Sequence, residues 1–347
     1  MYKNFLADIA SYSTNQKSCQ YKMDANENFT SVIAKDKLIN RLLDMDINRY
    51  PEGSSVKLRK AVSKRENLKI ENILMGSGSS EVIELLFKCI IGSGDRVLGF
   101  SPSFSMYNLY ANIQGANYET LSLDSEMKMD MGLLNERCKE LDPKLVIICN
   151  PNNPTGSWVE RSEIVEFLDN NSNRFVLLDE AYVEFMGQSS SDLINDYENL
   201  FVAKTFSKAY GLAGVRLGYM LSSGYNIEQL NKIRPPYNIN VFTQICGETI
   251  LECQDEVSKN IVFIKEQREK LFNQMKDLGI KVFPSKSNFI YFYSTIDNLQ
   301  DRLLEKGVLI RKYSDSSNGY FRVTVGSLQE NQAFIKSFRE VKEIEKS

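Results

Sequence analysis

Short apolar runs follow one another through the first two-thirds of the chain, and a polar or glycine-containing turn comes after each. The runs lie at 73–75, 97–101, 144–149, 174–178 and 200–203. Short runs rich in Val, Ile and Leu are typical of strands buried on both faces of a parallel sheet. The sequence therefore predicts an α/β protein. Because open α/β sheets bind ligands at the carboxyl ends of their strands, it also predicts a site where these turns meet.

The last of these runs leads to Lys208, which follows Thr205-Phe206-Ser207 and precedes a segment of small residues, 209–214. An amine that is partly desolvated or set near another cation has a lowered pKa, so it can act as nucleophile and base. Two hydroxyls and the guanidinium of Arg216 suit phosphate oxygens. The stretch predicts a lysine that binds pyridoxal phosphate, with its phosphate site alongside. A basic loop that ends a strand is the alternative.

A glycine- and serine-rich turn, 76–81, follows the first run and precedes a predicted helix. One apolar face of that helix contains Val82, Leu85, Leu86, Cys89 and Ile90 at helical spacing. Free backbone N–H groups and the positive end of the helix dipole meet at such a turn. The turn therefore predicts a phosphate-binding site, although turns of this composition are common.

Two further turns carry polar groups at strand ends. The segment 150–156, Asn-Pro-Asn-Asn-Pro-Thr-Gly, predicts a rigid turn because two prolines restrict it. Asp179 ends the run 174–178, and a carboxylate there is unfavourable unless it is paired. A protonated pyridine nitrogen is such a partner, and the pair keeps the ring cationic. The alternative for Asp179 is a helix N-cap.

Composition excludes several classes of site. The chain has no histidine, which excludes Ser-His and Cys-His nucleophiles and histidine metal sites, and we predict no metal. The net charge of −3 does not suggest nucleic-acid or anionic-membrane binding. We identify neither a secretory signal nor a membrane span. The six cysteines form no CxxC pair, which indicates a reducing cytoplasm.

The motif around Lys208, together with 150–156 and Asp179-x-x-Tyr182, resembles fold-type I pyridoxal-phosphate aminotransferases, most closely the histidinol-phosphate type. The resemblance implies a large domain with a mostly parallel seven-stranded sheet between helices, and a small α+β domain. It implies a Schiff base at Lys208, and Asp179 at the pyridine nitrogen. The remaining cofactor contacts it implies are Asn153 and Tyr182 at the phenolic oxygen, Phe104 stacked on the ring, and Gly78, Ser79, Ser80, Thr205, Ser207 and Arg216 at the phosphate.

The same resemblance implies a homodimer, in which Tyr50 reaches the phosphate of the partner's cofactor. For the substrate it implies Arg322 at the carboxylate, Arg311 at the anionic end and Asn26 near the mouth. Phe29 departs from the family, which usually has proline there. We predict an N-terminal arm at 1–30, a large cofactor-binding domain at 31–234 and a small domain at 235–347.

The implied reaction is ping-pong transfer of an amino group between histidinol phosphate and 2-oxoglutarate, through the cofactor bound to Lys208. Threonine-phosphate decarboxylase and an aromatic-amino-acid aminotransferase are alternatives on the same scaffold. A catalytically silent, cofactor-binding regulator is an alternative of a different class. The small-molecule substrates would be a phosphorylated amino alcohol and glutamate or 2-oxoglutarate.

Overall fold

The computed structural model describes residues 17–313 and 319–346. The strands are β1 (Tyr21–Lys22), β2 (Ile73–Gly76), β3 (Arg96–Ser101), β4 (Asn117–Ser122), β5 (Leu145–Cys149), β6 (Phe175–Asp179), β7 (Leu200–Thr205), β8 (Gly218–Leu221), β9 (Lys281–Val282), β10 (Phe289–Tyr293), β11 (Val308–Leu309), β12 (Arg311–Tyr313) and β13 (Tyr320–Thr324). The helices are α1 (Lys35–Leu43), α2 (Val56–Glu66), α3 (Gly78–Ile90), α4 (Met106–Gln114), α5 (Met131–Leu141), α6 (Arg161–Asn170), α7 (Val183–Met186), α8 (Gly224–Ile233), α9 (Val241–Leu251), α10 (Gln254–Asp277), α11 (Leu299–Glu305) and α12 (Leu328–Lys346).

The largest sheet has seven strands in the order β2-β8-β7-β6-β5-β3-β4. Its strands pair in parallel except at β8, which is antiparallel to both neighbours. Each run predicted between residues 73 and 203 forms one of these strands. The predicted α/β architecture with a mostly parallel seven-stranded sheet is therefore confirmed.

Two strands of this sheet escaped prediction. β4 is an edge strand with mostly polar, solvent-accessible residues, so it lacks the continuous apolar run of its neighbours. β8 follows Arg216 so closely that its four residues merge with the preceding loop in the sequence pattern. Prediction of strands from apolar runs therefore works better for central strands than for edge strands or very short strands.

The central strands are buried on both faces, and alternate residues enter separate apolar layers. In β5, Leu145 and Ile147 join the layer that contains α3 and α4, while Val146 and Ile148 join the other layer. Each such side chain contributes roughly 1.5–3 kcal/mol when it is fully buried. This double burial fixes the strand register, so the carboxyl ends of β5, β6 and β7 lie side by side at one edge.

A second, antiparallel sheet has the order β12-β13-β10-β9, and β1 pairs with β11 in a separate two-stranded sheet. Residues 21–22 of the predicted arm are thereby bonded to residues 308–309. The boundaries at residues 31 and 235 stay a prediction. No helix within 17–313 and 319–346 has the length and apolar character needed to cross a membrane.

Candidate active site

A cavity of about 1170 Å³ opens at the carboxyl ends of β3, β5, β6 and β7. The chain brings most of the predicted site residues to its wall, although they come from distant parts of the sequence. They are Asn26, Ser79, Ser80, Phe104, Asn153, Asp179, Tyr182, Thr205, Ser207, Lys208, Arg216, Arg311 and Arg322. Gly78 and Tyr50 are the predicted residues that lie elsewhere.

Lys208 follows β7 on a tight loop in the cavity wall. Its Nζ donates a hydrogen bond to the Ala25 carbonyl oxygen at 3.0 Å. Burial, reinforced by the nearby Arg322 guanidinium, lowers the pKa of Lys208 to about 7. At neutral pH a large fraction of this side chain is therefore the neutral amine, which is the form that acts as nucleophile and base.

The loop geometry explains one glycine after the lysine. Gly211 has a φ of +67°, and a Cβ there would lie 2.8 Å from the Thr30 carbonyl oxygen. Its N–H donates to the Lys208 carbonyl oxygen at 3.1 Å, which closes the turn. A side chain at this position would be strained and would push the loop away from residue 30.

Several hydrogen-bond donors lie together at one end of the cavity, where α3 begins beside Arg216. Gly78 has a φ of +78°, and a Cβ there would lie 2.7 Å from Arg216 Nη2. The Arg216 guanidinium is within 3.5 Å of Ser207 Oγ. Free N–H groups of a helix N-terminus, a guanidinium and two hydroxyls, with Thr205 as the second, are donors suited to a phosphate. Gly78 therefore acts through its small size, since it lets Arg216 approach the helix.

Asp179 ends β6 and is only 3% exposed. The Tyr107 hydroxyl donates to Asp179 Oδ2 at 2.6 Å, and the Ala181 N–H donates to Oδ1 at 3.1 Å. Burial raises the pKa of Asp179 even though both hydrogen bonds act to lower it. A cation in the cavity would be a favourable partner for this carboxylate.

Sequence reasoning missed Tyr107. It lies on the first turn of α4, three residues after Phe104, and its ring meets that of Phe104 edge-on at 5.4 Å. Tyr107 is completely buried, so its hydrogen bond to Asp179 fixes the orientation of the carboxylate. The sequence does show two aromatic residues at helical spacing, Phe104 and Tyr107, after a proline turn. That pattern does not predict that Tyr107 hydrogen-bonds a residue 72 positions away.

The Tyr182 hydroxyl accepts a hydrogen bond from Asn26 Nδ2 at 2.9 Å. Asn26 adopts a φ of +55°, and its N–H donates to Thr324 Oγ1 at 3.0 Å. Burial raises the pKa of Tyr182 well above its ordinary range, so the phenol keeps its proton and remains a donor. The structure thus places Asn26 directly on a predicted cofactor contact.

A second cationic region lies on the β12–β13 pair. Arg311 and Arg322 are direct cross-strand partners, so their side chains leave the same face of the sheet. Arg322 donates to Asn153 Oδ1 and, at 2.7 Å, to the Asp24 carbonyl oxygen. Its buried Nε has no hydrogen-bond partner within the described residues. This arrangement leaves a donor for an incoming anion, and Asn153 keeps its two N–H donors.

Tyr50 lies outside this cavity. It is 81% exposed, and its ring stacks on Tyr237 with centroids 4.5 Å apart. The predicted contact with a partner subunit stays a prediction. Phe29, the departure from the family pattern, packs against Phe263 at 5.3 Å, which gives the arm an apolar contact.

Comparison with known proteins identifies the family. The model for aminotransferase class I and II matches residues 15–338. The chain belongs to this aminotransferase family. It is 33% identical over 336 residues to the histidinol-phosphate aminotransferase of Clostridium novyi, covering 95% of this chain and 94% of the relative. It is 36% identical over 338 residues to the enzyme of that name from Thermoanaerobacter sp., covering 95% of each.

Solved structures show the same fold. A histidinol-phosphate aminotransferase of Sinorhizobium meliloti, in complex with pyridoxal-5'-phosphate, matches with a TM-score of 0.91 at 23% identity, covering 99% of this chain and 98% of that one. An L-threonine-O-3-phosphate decarboxylase of Porphyromonas gingivalis matches with a TM-score of 0.80 at 23% identity, covering 93% and 99%. The predictions of a fold-type I architecture and of a transaminase are confirmed.

The residues of this aminotransferase fit pyridoxal phosphate. A buried carboxylate, a near-neutral amine and a phosphate-sized group of donors line one cavity. The donor set offers one partner for each charged or reactive part of the cofactor: Arg216 for the phosphate, Asp179 for the ring nitrogen and Lys208 for the aldehyde. Among the described residues no group of acidic or cysteine side chains could hold a metal ion.

Proposed function

We propose that this aminotransferase moves an amino group between histidinol phosphate and 2-oxoglutarate, reversibly and with pyridoxal phosphate as cofactor. One observation carries the proposal. An amine whose pKa is about 7, Lys208, lies in the same cavity as two separate cationic sites, one at Arg216 and one at Arg322. One cationic site takes the cofactor phosphate, and the other takes the anionic group of a substrate.

Each predicted cofactor contact has a chemical role in this proposal. Pyridoxal phosphate, when bound, supplies an electron sink for the bond broken at the substrate's amino carbon. Asp179 would hold the ring nitrogen protonated, while Asn153 and Tyr182 would donate toward the phenolic oxygen. Phe104 offers an aromatic face to the ring. These roles rest on the positions of the side chains in the cavity wall.

Lys208 has two tasks that suit its lowered pKa. Its neutral amine would be the partner of the cofactor aldehyde, and it would act as the base that moves a proton at the substrate's amino carbon. The Ala25 carbonyl and the surrounding buried wall restrict its position. A free lysine with an ordinary pKa would be almost fully protonated at neutral pH and would do neither efficiently.

Both substrates use the second cationic site in turn, which is what a ping-pong scheme requires. 2-Oxoglutarate and glutamate present carboxylates, whereas histidinol phosphate has no carboxylate and presents its phosphate. Paired arginines accept either group because a guanidinium matches carboxylate and phosphate oxygens alike. The names of the relatives favour histidinol phosphate as amino donor.

Decarboxylation of threonine phosphate is the second candidate. The same arginines would accept its anionic groups, and a solved neighbour of the same fold bears that name. An aromatic-amino-acid aminotransferase explains Arg311 less well, since Arg322 would take the α-carboxylate and an aromatic side chain presents no second anion.

We propose a homodimer in which Tyr50 reaches the cofactor phosphate of the second copy. Its 81% exposure and its stacked neighbour Tyr237 leave a rigid hydroxyl on the outside of this chain.

We place the enzyme in the cytoplasm because its cysteines are free.

The deciding experiment adds histidinol phosphate alone to enzyme loaded with pyridoxal phosphate. Loss of the visible absorbance of the bound cofactor, with about one carbonyl product per site, is the expected result. Carbon dioxide release from threonine phosphate is measured in parallel, with Lys208→Ala as the inactive control. An unchanged spectrum together with carbon dioxide release would move the function to the decarboxylase.

A further inference from the structure

A cluster of buried charges lies behind the active site. Lys204 Nζ is 2.7 Å from Glu66 Oε2 and 3.5 Å from Glu180 Oε2, and the three side chains are at most 6% exposed. The cavity wall, as far as the described residues form it, includes none of the three. Buried charges are unfavourable unless they are paired, and an apolar core would serve stability as well. The cluster therefore calls for a role beyond packing.

Two of the three charged residues adjoin active-site residues in the chain. Glu180 directly follows Asp179 at the end of β6, and Lys204 directly precedes Thr205 at the end of β7. Successive strand residues point to opposite faces, so one neighbour faces the cavity and the other faces the cluster. The ion pair between Glu180 and Lys204 therefore ties together the two strand ends that carry Asp179 and the phosphate site.

The carboxylates are held in one geometry. Glu66, the last residue of α2, accepts hydrogen bonds from the Tyr219 hydroxyl at 2.8 Å and from Ser191 Oγ at 3.0 Å. Glu180 accepts from the Ser190 N–H at 2.7 Å. A fully hydrogen-bonded buried network is rigid, because any displacement leaves a polar group unsatisfied. The cluster thus anchors β6 and β7 to α2.

Aromatic rings connect the cluster to the loop that carries Lys208. The Tyr219 ring lies 5.6 Å from Phe206, and Phe206 lies 4.7 Å from Tyr210. Both Phe206 and Tyr210 are completely buried and flank Lys208 two residues away on either side. The Arg65 guanidinium lies 5.0 Å above the Tyr210 ring. The cluster therefore contacts the lysine loop both before and after Lys208.

We propose that Lys204 is a positioning residue for the reaction. Its ion pairs with Glu66 and Glu180 set the loop position that keeps Lys208 in the cavity wall that it shares with Asp179. Burial acts to lower the pKa of Lys204, but Glu180, Glu66 and Glu184 together raise it, so the ammonium is retained at neutral pH. The inference rests on the proposed cofactor, since positioning matters only for a lysine that reacts with it.

The primary test replaces the three charges together, as Lys204→Met with Glu66→Gln and Glu180→Gln. A single Lys204→Met would leave two buried carboxylates unpaired and would confuse misfolding with mispositioning. The measured quantity is the rate at which cofactor-free protein takes up pyridoxal phosphate, as a function of pH. In the wild type the rate should reach half its maximum near pH 7, because burial lowers the pKa of Lys208 to about 7.

We expect the triple variant to shift this midpoint upward by about one pH unit, because a displaced loop returns Lys208 to water. We also expect kcat to fall by roughly 10- to 100-fold with KM little changed. A folded triple variant with the wild-type midpoint and kcat would overturn the proposal. Wild-type protein that takes up no pyridoxal phosphate would instead refute the proposed function.

Tyr219→Phe is the second variant, because it removes one hydrogen bond to Glu66 while keeping the ring. This variant should shift the pH midpoint of cofactor uptake in the same direction by a smaller amount. If the triple variant does not fold, the midpoint of Tyr219→Phe tests the proposal instead. An unchanged midpoint in this variant would then overturn the proposal. Lys144→Met is the matched control, since it breaks a 2.7 Å pair with Asp95 near the opposite end of β5. It should leave both midpoint and kcat unchanged.

Discussion

Replacing Tyr107 by phenylalanine removes the hydroxyl that donates to Asp179 Oδ2 at 2.6 Å, while the ring and its packing remain. A hydrogen bond to a charged group contributes about 1.5–3 kcal/mol. One pKa unit corresponds to about 1.4 kcal/mol. The pKa of Asp179, already raised by burial, should therefore rise by a further 1–2 units or so in Tyr107→Phe.

The sign of the pH effect follows from the raised pKa. In the proposed function Asp179 binds the ring nitrogen as a carboxylate, and a higher pKa means that this form is lost earlier as the pH falls. Cofactor affinity should weaken roughly tenfold for each pH unit below the new pKa. The pH below which cofactor affinity falls (the acid limb of the affinity profile) should therefore be higher by about 1–2 pH units in Tyr107→Phe than in the wild type. At high pH the affinity should stay near the wild-type value.

The assay is equilibrium titration of cofactor-free protein with pyridoxal phosphate between pH 5 and 9, which does not depend on turnover. Tyr110→Phe is the matched control, because Tyr110 lies on the same helix and donates to the Ser80 carbonyl oxygen at 3.2 Å instead. An acid limb that coincides in wild type and Tyr107→Phe would refute the assigned role of Tyr107.

Three further changes test other parts of the site. Lys208→Ala should abolish turnover and the visible absorbance of bound cofactor, and measurable turnover would exclude Lys208 as the reacting amine. Asp179→Asn should bind the cofactor more weakly and, at saturating cofactor, lower kcat by roughly 100-fold or more, since a neutral amide does not hold the ring nitrogen protonated; a wild-type kcat in steady-state assays would contradict this. Arg322→Lys should raise KM for both histidinol phosphate and 2-oxoglutarate about tenfold or more, because it loses the planar pair of donors, and an effect on one substrate alone would argue against a shared anion site.

The sequence predicted the candidate site best where charged or polar residues lie near the end of a predicted strand. Asp179 was identifiable because a carboxylate at the end of a buried apolar run is unfavourable unless it is paired, and Lys208 was identifiable because hydroxyls, small residues and Arg216 accompany it in the sequence. The structure places both in one cavity. The run 150–156 was identifiable because its prolines and glycine restrict the backbone. These features are local in the sequence, so they can be recognised without knowledge of the tertiary fold.

Contacts between distant segments could not be predicted in this way. Tyr107 looks like any buried aromatic until the parallel register of β3, β5 and β6 sets it against Asp179. Lys204 and Glu66 are 138 residues apart, and both occur in sequence contexts where a surface charge would be ordinary. Burial of these groups arises from packing of α2 against the sheet, which no local pattern encodes.

The short pairing of β1 with β11 has a consequence for how the enzyme handles its substrates. The Met23 N–H donates to the Leu309 carbonyl oxygen and the Met23 carbonyl accepts from the Thr324 N–H. The backbone next to Ala25 is therefore joined to β11, which ends two residues before Arg311, and to β13, which carries Arg322. The Ala25 carbonyl oxygen that accepts the hydrogen bond from Lys208 is therefore attached to the antiparallel sheet that carries Arg322. It is not attached to the seven-stranded sheet, which Lys208 follows. Any shift of the antiparallel sheet would therefore also change the hydrogen bond that restrains Lys208.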